Sequence, residues 1–214
     1  MTIESPGPKL GTPRRKGVNL SDQGMVETGF LGAAASVPLV VQPTVHGVDL
    51  TAWAGRNRER VEQWVLDHGA VLFRGFEIET VPQFEGFIST VSSGAMEYRY
   101  RSSPRTQVGG NIYTSTDYPA DQSIFPHNEH AYSPDFPLRI FFFCITPAAR
   151  GGETPIGDCR KVLARIDPEI RERFRQKGIL YVRNFGDGLG LPWPTVFQTD
   201  DRAVVEDYCR EHGL

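Results

Sequence analysis

The chain predicts a mixed α+β domain, on three observations. Arg58 to His68 carries Val61, Trp64 and Val65 at helical spacing and stops at Gly69. Ala70 to Gly75 follows at once as a short apolar run closed by glycine, the pattern of a buried strand. Leu138 to Thr146 is the most strand-like run of all, apolar on both faces and so expected at the centre of a sheet. With 214 residues, 39% of them hydrophobic, the chain can build one domain with a sizeable core.

Taken in order, residues 1–36 lack periodicity and read as a flexible N-terminal segment; their one basic cluster, Arg14-Arg15-Lys16, fits a solvated tail. The folded domain is expected over 37–214, beginning with a strand at Val37 to Val41. After the helix and strand already named, Thr80 is placed to cap a second helix whose Val81, Phe84, Ile88 and Val91 share one face. Tyr98 to Pro137 is long, rich in Ser, Thr, Pro, Gly and Asn, and holds only short extended pieces such as Asn111 to Thr114. A segment of this kind inside a compact domain is more often functional than idle. Beyond the central strand, Gly151 to Asp158 predicts a turn and a short strand, and Asp158 an N-cap. Asp167-Pro168 opens a helix with Ile170 and Phe174 on one stripe and Gly178 as its stop. Ile179 to Arg183 reads as a further strand, and Asp200 to His212 as a helix ended by Gly213.

Composition excludes several classes. A net charge of −3 and a pI near 6.0 argue against nucleic acid as a partner, since phosphate binding needs concentrated Lys and Arg. No apolar run approaches a membrane span and no signal-peptide core opens the chain, so a cytoplasmic protein without membrane contact is expected. Cys144, Cys159 and Cys209 form no C-x-x-C pair and are expected to be reduced and partly buried. Nothing in the pattern sets the oligomeric state.

The chemistry concentrates in Pro126-His127-Asn128-Glu129-His130. Pro126 and Pro134 disfavour a helix here, and on an extended segment side chains two apart project to the same face. His127 and Glu129 can therefore reach one metal ion. Two His and a carboxylate with open positions are what a non-haem Fe(II) oxygenase needs. The same spacing also suits a satisfied polar pair on a half-buried strand, and the third ligand has to come from elsewhere. A zinc hydrolase is disfavoured, because no H-x-x-x-H helix supplies further ligands. His130 should point to the opposite face, as a surface residue or one standing behind the ligands. Tyr113, Thr116, Asn128 and Tyr132 are candidates to line a substrate pocket.

The ordered set Gly69-Ala70-Val71-Leu72-Phe73-Arg74-Gly75, Tyr113-Thr114-Ser115-Thr116-Asp117-Tyr118-Pro119, Pro126-His127-Asn128-Glu129 and Gly151-Gly152-Glu153-Thr154-Pro155 resembles the TauD/TfdA family of Fe(II)/2-oxoglutarate dioxygenases. The likeness spans Val37 to Leu214 and points to the branch associated with nonribosomal peptide and antibiotic biosynthesis, which overlaps the clavaminate-synthase-like group. It implies a double-stranded β-helix, or jelly roll, with flanking helices. It also implies Fe(2+) and 2-oxoglutarate as cofactors, with His127 and Glu129 as the first two iron ligands and the Thr154 hydroxyl on a carboxylate of 2-oxoglutarate. The implied reaction uses O₂ to hydroxylate or desaturate an unactivated C–H bond of a small, amino-acid-derived substrate, free or tethered to a carrier protein. Many relatives have Asp where this chain has Glu129, and halogenases of similar pattern have a small residue there; a retained carboxylate favours hydroxylation or desaturation.

The resemblance places the second iron-binding His and the Arg that clamps 2-oxoglutarate on later barrel strands, and this sequence stops before them. His212 lies in the last turn of a helix, where a basic group complements the helix dipole, and Arg183, Arg202 and Arg210 lie outside any matching motif. A jelly roll incomplete at the C-terminus, from a truncated chain, is therefore expected. The alternative function is a catalytically incomplete fragment that serves as a binding or interaction module.

Overall fold

A computed structural model describes residues 24–32, 36–97, 100, 105–115, 123–186, 188 and 190–214. Its best-packed part is a three-stranded sheet of order β1-β2-β3, with β1 at Val26–Phe30, β2 at Leu39–Pro43 and β3 at Val71–Phe73. β1 runs antiparallel to β2, with Thr28 opposite Val41, whereas β3 runs parallel to it, with Val40 opposite Leu72. A parallel neighbour needs a long crossover. Here the crossover is helical: α1 at Leu50–Arg56 and α2 at Arg58–His68. The sheet thus opens at Val26, ahead of the Val37 start that the sequence suggests, because β1 supplies the edge partner of β2.

Local chemistry marks the helix ends. Asp49 accepts a hydrogen bond from the Ala52 N–H at 2.9 Å and caps α1. Gly69 ends α2 in the left-handed conformation (φ 77°), returning its N–H to the Val65 carbonyl. α3 at Val81–Val91 begins with a full capping box, the Thr80 side chain on the Gln83 N–H and the Gln83 side chain on the Thr80 N–H. These elements enclose one core. Val41, Trp53 and Ala54 are fully buried, with Leu39, Leu50, Val61, Phe87 and Val91 around them, and Trp53 stacks on Trp64 at 6.0 Å.

After α3, β4 at Gln107–Gly109 and β5 at Ile112–Tyr113 form a small antiparallel hairpin. The second half is helical: α4 at Cys159–Arg165, α5 at Pro168–Lys177, α6 at Trp193–Phe197 and α7 at Arg202–Glu211. Asp158, Asp167 and Asp201 cap α4, α5 and α7 through their carboxylates. α6 carries no helical periodicity long enough to read in sequence. It exists because Val196 is fully buried and Phe197 packs on Tyr100, Phe185 and Tyr208.

The expected strands of the second half do not form. Leu138 to Thr146, Gly151 to Asp158 and Ile179 to Arg183 join neither sheet among the described residues. The first keeps a period-2 burial pattern all the same. Arg139 bonds Glu62 at 2.6 Å, Phe141 packs on the core, and Phe143 stacks on Phe84 at 5.1 Å. On its other face Leu138, Ile140 and Phe142 are exposed, Leu138 by 91%. Its backbone thus has one packed side and no strand neighbour, and a strand is defined by its neighbour. The architecture is α+β; no jelly-roll barrel closes among the described residues.

Among the described residues no helix is long and apolar enough to cross a membrane. Cys144 and Cys159 are exposed rather than partly buried, and Cys209 is half-buried; all three are free thiols.

Candidate metal centre

The segment 123–128 is extended without strand partners, and the chain turns over 129–132. That turn changes the expected geometry. His130 takes the left-handed conformation (φ 55°), which His tolerates better than most residues, so its ring swings inward instead of projecting away. It is buried, which removes the surface alternative and keeps the one that sets it behind His127 and Glu129, and burial pulls its imidazole below the usual histidine range despite the neighbouring Glu129 charge. The turn is held by the Ser133 N–H on the His130 carbonyl and by the Tyr132 hydroxyl on the Tyr100 carbonyl.

A cavity of about 320 Å³ opens at this turn, lined by Arg105, His127, Asn128, Glu129, His130, Ala131, Tyr132 and Tyr181. His127 and Glu129 face each other across it, with Nε2 3.8 Å from Oε2. The His127 side chain is 56% exposed and that of Glu129 17%. His127 Nδ1 donates to the Phe125 carbonyl at 2.8 Å; a carbonyl only accepts, so in the neutral ring Nε2 carries the lone pair. This is the tautomer and the orientation that metal-ligating histidines take from an outer partner. Two such donors on one ion, at bond lengths near 2.1 Å, lie no more than about 4.2 Å apart, a limit the pair meets.

Among the described residues no third His, Cys, Asp or Glu joins them. What joins Glu129 is Arg105, whose Nη2 bonds both carboxylate oxygens at 3.1 Å. The sequence gives no sign of Arg105, which follows Arg99 and Arg101 in an aperiodic stretch with nothing to single it out. Tyr181 was legible only as part of an expected strand.

Of the other candidates, Asn128 lines the cavity and accepts from the Cys159 thiol at 3.2 Å, which ties the motif to the start of α4. Tyr132 lines it too, backed by Tyr100 at 5.7 Å and by the Arg183 guanidinium at 5.4 Å from its ring. Tyr113 sits on β5, outside the cavity lining, and Thr116 lies outside the described residues. Thr154 is exposed in the turn before α4 and is not part of the lining. His212 caps the end of α7, stacks on Tyr208 at 4.2 Å and pairs with Asp135, and it is not part of the cavity lining.

An imidazole with its outer nitrogen fixed, facing a carboxylate in a small cavity, has the donor types and spacing that two ligands of one metal ion require. Residues 34–213 match the family described as Taurine catabolism dioxygenase TauD, TfdA family, and the chain belongs to it. That family uses Fe(II) and 2-oxoglutarate. The chain is 41% identical over 154 residues to the dapdiamide synthesis protein DdaC of Enterobacter agglomerans, covering 72% of this chain and 47% of that protein. It is 30% identical over 190 residues to a clavaminate synthase-like protein of Arabidopsis thaliana, covering 85% of this chain and 57% of that one. The chain thus spans about half the length of these curated relatives.

Proposed function

We propose that the full-length protein is an Fe(II)/2-oxoglutarate-dependent oxygenase that hydroxylates or desaturates an unactivated C–H bond of a small, amino-acid-derived substrate in secondary metabolism. The observation that carries this reading is the 3.8 Å approach of His127 Nε2 and Glu129 Oε2 in a chain of the TauD/TfdA family. His127 and Glu129 would hold the iron, and Thr154 a carboxylate of 2-oxoglutarate. Bound iron with 2-oxoglutarate supplies O₂ activation, with succinate and CO₂ as co-products.

The rest of the site orients and shields. His127 presents a lone pair because Phe125 holds its other nitrogen. Asn128 and Tyr132 offer an amide and an aromatic wall beside the metal position, and a cavity of about 320 Å³ suits an amino-acid-sized ligand. Tyr113 and Thr116 are proposed on the substrate side from the sequence pattern. The carboxylate of Glu129 occupies the position that a chlorinating relative would need open, which supports hydroxylation or desaturation. Kinship with a dapdiamide synthesis protein supports an amino-acid-derived substrate, free or carrier-tethered.

The test is succinate formation from 2-oxoglutarate by the full-length protein with Fe(II) and ascorbate, with and without candidate amino acids. Substrate-stimulated succinate is expected, together with loss of iron in His127→Ala. Iron retained at wild-type stoichiometry in that variant would sink the assignment.

A further inference from the structure

We propose that Arg105 is a positioning residue that holds Glu129 in its ligating pose, its Nη2 bridging both carboxylate oxygens at 3.1 Å while Oε2 faces His127 Nε2 at 3.8 Å. The inference rests on the reading of His127 and Glu129 as metal ligands. It answers a problem that the sequence itself poses. Glutamate has one more rotatable bond than aspartate, so an unrestrained Glu129 samples more rotamers and loses more entropy when it ligates. Arg105 removes that freedom beforehand. Both side chains are largely buried, at 18% and 17% exposure, and charge-assisted contacts of this kind are the strong ones.

The contact is also compatible with coordination. A carboxylate has about four lone-pair sites on its two oxygens, and one nitrogen placed symmetrically between them uses the inner pair. That leaves the outer lone pairs free for a metal ion, and Oε2 is the oxygen 3.8 Å from His127 Nε2. Ligating carboxylates commonly carry such an outer hydrogen bond, and its removal costs roughly 10–100-fold in metal affinity. Arg105 arrives from the coil immediately before β4, so the hairpin anchors the guanidinium: Thr106 accepts the Thr114 N–H at 2.8 Å on its carbonyl, and its own N–H bonds the Thr114 hydroxyl at 3.0 Å.

The experiment is a Co(II) titration of the full-length protein by calorimetry and visible absorption, comparing wild type, Arg105→Met, Arg105→Lys and His127→Ala. Arg105→Met is expected to bind Co(II) at least tenfold more weakly, with a changed ligand-field spectrum and a melting temperature in chelator close to wild type. Arg105→Lys, which keeps the charge and loses the planar fork, is expected to recover part of the affinity and serves as the test if the Met variant does not fold. Equal or tighter Co(II) binding in both Arg105 variants overturns the proposal, the tighter case identifying Arg105 as a competitor of the metal. Undiminished binding in His127→Ala overturns instead the metal-site reading on which it rests.

Discussion

Val71–Phe73 and Leu138–Thr146 are both apolar runs beside a helix, and they meet different fates. The short run becomes β3 because β2 lies parallel to it in register and α2 delivers it there through a crossover of two helices. The long run packs one face on α2 and α3 through Arg139, Phe141 and Phe143, and turns Leu138, Ile140 and Phe142 to solvent. Ile179 to Val182 also stays unpaired, but with all four side chains exposed, Leu180 by 88%. Apolar patterning states what a segment would gain by burial, whereas pairing depends on a neighbour that another part of the fold must present. The first region has a neighbour that the two-helix crossover brings into register, and the second has none among the described residues.

Substitutions in the two regions should have effects of very different size. Trp53→Ala, at the fully buried centre of the first region, is expected to cost about 3–5 kcal/mol and to unfold much of the protein, read as a lowered urea midpoint. A loss below about 1 kcal/mol would mean that the core does not lie where the sheet and helices place it. Thr80→Ala removes one half of the capping box on α3 and is expected to cost about 0.5–2 kcal/mol at unchanged m-value.

In the second region, Leu138→Ser and Leu180→Ser are expected to change stability by less than about 0.5 kcal/mol while lowering the fluorescence of a dye that binds apolar surface. A core-sized loss at either position would show that these faces are covered in solution, and the contrast would disappear. The smallest effect concerns pH. Hydrogen bonding and charge from Arg160 hold the Asp158 carboxyl below its ordinary value of 3.8, so its contribution is present above that pH and fades as pH falls through the lowered folded value. Helicity of wild type should therefore decline slightly more than that of Asp158→Asn on acidification below 3.8, followed by circular dichroism.

The site divides along the same line. His127, Asn128, Glu129 and Tyr132 line one cavity, and their grouping is readable because they lie within six residues of one another. The inward turn of His130 does not follow from the sequence, since period-2 reasoning assumes that the strand continues and a single left-handed residue ends it. Arg105 and Tyr181 were missed because each reaches the cavity from a distant segment, and only folding makes them neighbours.

Local sequence by itself determined the helix at 58–68, the Thr80 cap and buried face of the helix at 81–91, and the aspartate-capped starts of α4 and α5. These depend on local rules: side-chain period, caps and the chemistry of adjacent residues. Tertiary structure decided that β1 extends the sheet upstream, that the long apolar run stays unpaired, that His130 turns inward, and that Arg105 grips Glu129. Arg105 and Glu129 stand 24 residues apart, and the free energy that pairs them arises only once the chain has brought them together; the other three depend on which neighbours a segment meets, which no local rule supplies.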